Sequence, residues 1–112
     1  MKNIKEGIVS VMTILYKSGD TVTTKIEVDY ITNTVEIENY TDDIINRAFG
    51  INEHPTFEDY ERFLESRCFP RTRDNMKIHL QELGIDRYDP LLICKKTNGR
   101  LEGDINSLEF VK

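Results

Sequence analysis

The hydrophobic pattern of this 112-residue chain changes from a strand to a helix period near Tyr40, and that change points to a sheet followed by a helical part. Before it, Val22-Thr23-Thr24-Lys25-Ile26-Glu27-Val28 and Val35-Glu36-Ile37-Glu38-Asn39-Tyr40 alternate apolar with polar, as strands with one buried and one wet face do. Ahead of them, Ile8-Val9-Ser10-Val11-Met12-Thr13-Ile14-Leu15-Tyr16 is rich in β-branched residues and has no helix cap, so it reads as a strand buried on at least one face. Lys17-Ser18-Gly19-Asp20 and Ile31-Thr32-Asn33-Thr34 supply turn chemistry. Residues 8–40 are therefore expected to form a three-stranded antiparallel meander.

After Tyr40 the spacing becomes helical. Thr56-Phe57-Glu58-Asp59 is a capping box with Asp in the usual Glu or Gln position, and Phe57, Tyr60, Phe63 and Leu64 form one apolar face of a helix running to about Arg67. Met76, Leu80 and Leu83 mark a second helix, expected over Thr72 to Leu83, with Gly84 as its left-handed stop. A third is expected from Pro90 to Thr97: Asp89 caps it, Pro90 takes its first position, Lys95 and Lys96 fill its last turn, and Asn98-Gly99 ends it. A buried strand over Leu91 to Cys94 is the alternative there. Thr41 to Gly50 fits a short capped helix, and Ser107-Leu108-Glu109-Phe110-Val111 alternates as a late strand would. The expected fold is α+β, a small antiparallel sheet of a three-stranded meander plus a late strand, packed against three to four short helices.

The length suits one domain, with residues 1–7 as a flexible N-terminus, and a composition 38% hydrophobic and 31% charged suits a globular chain. The longest apolar runs are four residues, too short to span a membrane, and no apolar stretch follows the charged start Met1 to Gly7. A cytoplasmic protein is the expectation, with its two cysteines, Cys68 and Cys94, reduced and filling the core. A zinc site from Cys68, Cys94 and His79 would lack any paired-ligand motif, and no cofactor is expected.

No Gly-rich phosphate loop or nucleophile-histidine arrangement is present in the sequence, so an enzyme is not expected. Asp86-Arg87-Tyr88-Asp89 invites comparison with a kinase catalytic loop, but no downstream metal-binding set follows; Tyr88 is expected to pack and Asp89 to cap a helix. The six residues from Gly84 to Asp89 are long for a helix-turn-helix, and Pro90 to Cys94 offers no base-reading side chain. The net charge of −5 also argues against general nucleic-acid binding. That charge is uneven: residues 20–61 hold eleven acids against Lys25 and Arg47, a net −9.

Between the first two helices lies Phe63-Leu64-Glu65-Ser66-Arg67-Cys68-Phe69-Pro70-Arg71-Thr72-Arg73, an aromatic, proline-stopped, arginine-flanked elbow. Phe69 is placed to plug the gap between two helices, with Arg67, Arg71 and Arg73 around it. One reading is a core elbow with solvated arginines. The other is a partner surface made of Arg67, Phe69, Arg71 and Arg73, since arginine and aromatic residues dominate interface energetics once desolvated.

The order Phe63-Leu64-Glu65, Phe69-Pro70, Arg73, Leu80 with Leu83-Gly84-Ile85, Tyr88-Asp89-Pro90-Leu91 and Gly99-Arg100 resembles the first N-terminal subdomain of HipA-like serine/threonine kinases. The likeness runs through residues 57–110, and the preceding strands agree in type. The Arg-Cys-Phe-Pro-Arg-Thr-Arg run is also similar to that of short, HipS-like proteins of Gram-positive bacteria associated with HipA-related genes. Two departures are plain: Leu101 stands where the family's Gly-Arg-Asp places an acid, and the kinase core is missing, so nucleotide binding and phosphoryl transfer do not carry over. The resemblance implies a stand-alone interaction module, the antitoxin or regulatory subunit of a HipA-like kinase in a toxin-antitoxin system. The alternative, from the acidic half, is a phage-type inhibitor that imitates nucleic acid and occupies the basic groove of a bacterial defence nuclease.

Overall fold

A computed structural model describes residues 11–111. Strands β1 (Val11–Ser18), β2 (Thr21–Asp29) and β3 (Thr34–Asn39) form the antiparallel meander, and β4 (Asn106–Val111) adds antiparallel to the free side of β1, giving the order β3-β2-β1-β4. Helices α1 (Phe57–Ser66), α2 (Met76–Leu83) and α3 (Pro90–Thr97) lie between β3 and β4 in the chain. The α+β class expected from the pattern is the one observed, with three helices. A first strand beginning at Ile8 and a flexible terminus over residues 1–7 lie outside the described residues.

Local chemistry sets the hairpins. Ser18 pairs with Thr21, leaving a two-residue loop whose first position, Gly19, has φ 61°, the conformation such turns require and only glycine adopts freely. Between β2 and β3 the Asp29 carboxylate accepts the N–H groups of Ile31 and Thr32 at 2.9 and 3.3 Å, which folds the chain back toward Thr34. The register then aligns Ile14, Ile26 and Ile37 across β1, β2 and β3, with Phe110 facing Ile14 from β4.

That row belongs to the helix-covered face. Tyr60, Phe63 and Leu64 from α1, Leu80 from α2, and Ile93 and Cys94 from α3 join Ile14, Ile26, Val28 and Leu108 in one buried cluster. Ile14, Ile26 and Ile93 keep no exposed surface, and each such burial stabilises by about 1.5–3 kcal/mol over exposure. The opposite face of the sheet carries Lys17, Lys25, Glu27, Glu36, Glu38 and Glu109, with Lys17 3.4 Å from Glu109 and Lys25 3.8 Å from Glu38.

Two helices are shorter than the sequence suggests. Residues 41–50 contain only the 3₁₀ turn Ile44–Asn46, and Arg47 is already extended at φ −84°, ψ 147°. Ile44 and Ile45 are exposed, so a longer helix would have no apolar face to bury, and adjacent β-branched residues are poor helix formers. One tertiary and one local bond hold the segment instead: the Ala48 N–H donates to the hydroxyl of fully buried Thr24 at 3.1 Å, and Arg47 Nε donates to the Thr41 carbonyl at 2.8 Å. Likewise α2 starts at Met76, not Thr72, because Asn75 is left-handed at φ 59° and breaks the helical ladder. Residues 70–73 close a separate turn, with the Arg73 N–H on the Pro70 carbonyl at 3.1 Å.

Candidate functional site

The elbow after α1 separates its arginines into one that is structural and two that face outward. Arg67 follows Tyr60, Phe63 and Leu64 on the buried stripe of α1 and is only 7% exposed. Its guanidinium is shared among three acceptors: Nε donates to the Gly99 carbonyl at 3.0 Å, one terminal nitrogen to Asp104 Oδ2 at 3.1 Å, and the other to the Asn106 carbonyl at 3.1 Å. The bond from Arg67, helped by the Asn106 N–H, holds the Asp104 carboxyl below the usual carboxylate range. Arg67 thus fastens the end of α1 to the loop that leads into β4, and does not contribute to an outer surface.

Gly99 completes that joint. It has φ 62°, and a Cβ built there would lie 2.6 Å from Leu108 Cγ, so the chain can approach β4 only with glycine. The Leu108 N–H donates to the Asn98 carbonyl at 2.7 Å and fixes the loop against the strand.

Phe69, Arg71 and Arg73 are brought together on the outside, in a row of rings and cations. The Arg71 guanidinium lies 4.4 Å from the centre of the Tyr88 ring, and Tyr88 meets Phe69 edge to face at 6.0 Å. At the other end of the row the Arg73 guanidinium lies 5.7 Å from the centre of the Phe69 ring, and Arg73 donates through Nε to His79 Nε2 at 2.9 Å. Two further bonds hold the row in place: the Tyr88 hydroxyl donates to the Phe69 carbonyl at 2.6 Å, and Arg71 Nε donates to Glu65 at 2.9 Å. Burial raises the Tyr88 phenol above its ordinary value, and the bond to Glu65 raises Arg71 further, so Tyr88 stays neutral and Arg71 charged at neutral pH. Arg71 and Arg73 are exposed while Phe69 is half-buried.

Arg71 also borders a groove of about 500 Å³ between α1 and the start of α3, whose apolar lining includes Tyr30, Phe57, Leu64 and Leu91. The Tyr30 and Tyr60 hydroxyls bond to each other beneath it, and burial raises the Tyr60 phenol well above the ordinary tyrosine value. The rim carries Glu58, Glu61, Arg62 and Asp89. The lining is thus mixed, with Glu58, Glu61, Glu65 and Asp89 against Arg62 and Arg71, and Arg71 is paired with Glu65.

Tyr88 and Tyr30 were not among the expected surface residues. Tyr88 was expected only to pack; its hydroxyl and its cation contact make it the link between Phe69 and Arg71. Tyr30 had a signal, since it continues the parity of Ile26 and Val28 and so belongs on the helix side of the sheet. Asp89 caps α3 as expected, accepting the Leu91 and Leu92 N–H groups at 3.1 and 3.3 Å. Among the described residues, no three His, Cys, Asp or Glu side chains are grouped to hold a metal ion, and no helix is long and apolar enough to cross a membrane. Comparison with family models, curated proteins and solved structures found no match to this chain.

Proposed function

We propose that this chain is a non-enzymatic interaction module, the stand-alone counterpart of the first N-terminal subdomain of HipA-like kinases, and that it acts in the cytoplasm as the antitoxin or regulatory subunit of such a kinase. The observation that carries this reading is the row Arg71, Tyr88, Phe69, Arg73 beside the groove between α1 and α3. Phe69, Arg73 and Tyr88 belong to the ordered run that resembles that subdomain and Arg71 to the Arg-Cys-Phe-Pro-Arg-Thr-Arg run, and the row presents the residue types that dominate interface energetics. Other members of the run serve as joints: Gly99 accepts Arg67, and Asp89 caps α3. The proposed partner surface is Phe69, Arg71 and Arg73 together with Tyr88, without Arg67, whose guanidinium is bound to Gly99, Asp104 and Asn106. Co-expression with a HipA-like kinase from the same genome tests this directly. Co-elution of the two chains in size-exclusion chromatography is expected, and separate elution at micromolar concentration would contradict it.

A second reading, the nucleic-acid mimic, draws on one observation. Glu27 and Glu36 stand directly opposite each other on the open sheet face, an arrangement of like charges that costs stability. Against it, much of the acidic half has local duties: Asp29, Asp43 and Asp59 each accept backbone N–H groups at a turn or helix start, and Glu38 pairs with Lys25. Inhibition of a nuclease that weakens steeply with salt would favour mimicry, and salt-insensitive inhibition would exclude it.

A further inference from the structure

Cys68, just past the end of α1, and Cys94, in the middle of α3, are free thiols whose sulfurs lie 3.8 Å apart in the core. Twenty-six positions separate them in sequence. Both sulfurs lie within reach of the Leu64 carbonyl, 3.2 Å from Cys68 and 3.5 Å from Cys94, and Cys68 also lies 3.6 Å from the Pro90 carbonyl, so the two single thiol hydrogens share these acceptors and the neighbouring sulfur. A disulfide has its sulfurs about 2.05 Å apart, so closing this pair needs a side-chain approach of under about 2 Å between helices already packed together.

We infer that Cys68 and Cys94 form an oxidation site: a dithiol that a peroxide converts, within the native fold, to a reversible disulfide joining α1 to α3. The two cysteines differ in a way that orders the steps. Cys68 retains 8% exposure and Cys94 none. The hydrogen bond between them lowers the Cys68 thiol and raises that of Cys94, which burial raises further, so the thiolate forms at Cys68. The Cys68 thiolate attacks one peroxide oxygen, the O–O bond breaks, and hydroxide leaves, giving a sulfenic acid. The Cys94 sulfur then attacks the Cys68 sulfur; the S–O bond breaks, and water departs with the proton Cys94 gives up. In sum, two thiols lose two hydrogens, and one peroxide is reduced to two waters.

Both thiol hydrogens are lost in the product, while the Leu64 carbonyl keeps the Arg67 N–H at 3.0 Å. The cross-link restrains the chain immediately before Phe69. This site stands independently of any partner, because it needs only the geometry of the core.

The test treats the folded full-length chain with hydrogen peroxide, quenches it under denaturing conditions with an alkylating agent, and measures intact mass and a non-reducing peptide map. The expected product is a monomer lighter by two hydrogens, unalkylated, with Cys68 and Cys94 in one linked peptide and full reversal by dithiothreitol. Its thermal midpoint should rise by several degrees over the reduced chain, since the closed loop constrains the unfolded state. In Cys94→Ser, where no second thiol can resolve it, Cys68 should stop at a sulfenic acid that dimedone traps. Two alkylated thiols after peroxide treatment, cross-links only between molecules, or a dimedone adduct at Cys94 in the wild-type chain would each overturn the inference.

Discussion

The guanidinium of Arg67 donates to the main-chain carbonyl of Gly99 at 3.0 Å, joining the end of the first helix to the loop that begins where the third helix stops. The same group holds Asp104 and the Asn106 carbonyl, so one side chain fixes the path of the chain from α3 into β4. Arg67→Met should therefore destabilise the fold by about 2–4 kcal/mol, because it leaves buried acceptors without a donor. Arg67→Lys should recover only part of that, since an ammonium lacks the planar fork that reaches three acceptors. Urea denaturation of the three chains checks this, and a loss below about 1 kcal/mol in Arg67→Met would show that the joint is dispensable.

Gly99→Ala tests the other half of the joint. The new methyl would meet Leu108 at 2.6 Å in a backbone region disfavoured for alanine, so a loss of about 2 kcal/mol or more is expected. Gly103 also has positive φ but nothing within 4 Å of its would-be Cβ, so Gly103→Ala should cost only the backbone strain, about 1 kcal/mol. Equal thermal shifts for the two variants would mean that the approach to Leu108 is not what matters.

Stability should fall in acid, in a direction set by Asp104. Its carboxyl is held below its ordinary value, chiefly by Arg67, so in the titration window the unfolded chain binds more protons than the folded one. The contribution is complete above the ordinary aspartate value of about 4 and is lost as pH drops through the lower folded value. Asp59 acts in the same direction, lowered first by the Thr56 N–H in the capping box. Urea midpoints from about pH 7 to about pH 2 should decline below about pH 4, and less steeply in Asp104→Asn. Identical profiles for the two chains would remove Asp104 from the account.

Much of the fold was legible because its punctuation is local. Asp89, Pro90, Asn98 and Gly99 bound α3 within a few residues of the positions they control, and Thr56 and Asp59 do the same for the start of α1. Asn75 was less readable, since the Thr72 start competed with a left-handed asparagine three residues later, and only the packed chain decides between them. Arg67 shows the limit most clearly. In the sequence it reads as solvated or as part of a partner surface because arginine is usually exposed, and the acceptors that make its burial tolerable lie 32 to 39 residues away. Of the four expected surface residues, Phe69, Arg71 and Arg73 come together because they are close in sequence; their connecting ring, Tyr88, comes from a loop 19 residues past Phe69.

Magnesium and ATP should leave the melting midpoint unchanged. Phosphoryl transfer needs a phosphate cradle, a lysine held by an acid, and metal-binding acids, and the acid that most invites that role, Asp89, is bonded to the first N–H groups of α3. A saturable upward shift of a few degrees would contradict the non-enzymatic reading.

The most direct measurement of the central claim is a calorimetric titration of the wild-type chain, and of the double variant Arg71→Glu with Arg73→Glu, into a purified HipA-like kinase. Both arginines are exposed, so the variant should keep the wild-type fold and circular dichroism spectrum, with a melting midpoint lowered only slightly by loss of the exposed Arg71–Glu65 pair. The account predicts saturable micromolar or tighter binding by the wild type and affinity about tenfold or more weaker for the variant. No heat from the wild type, or equal affinity for both chains, would contradict it.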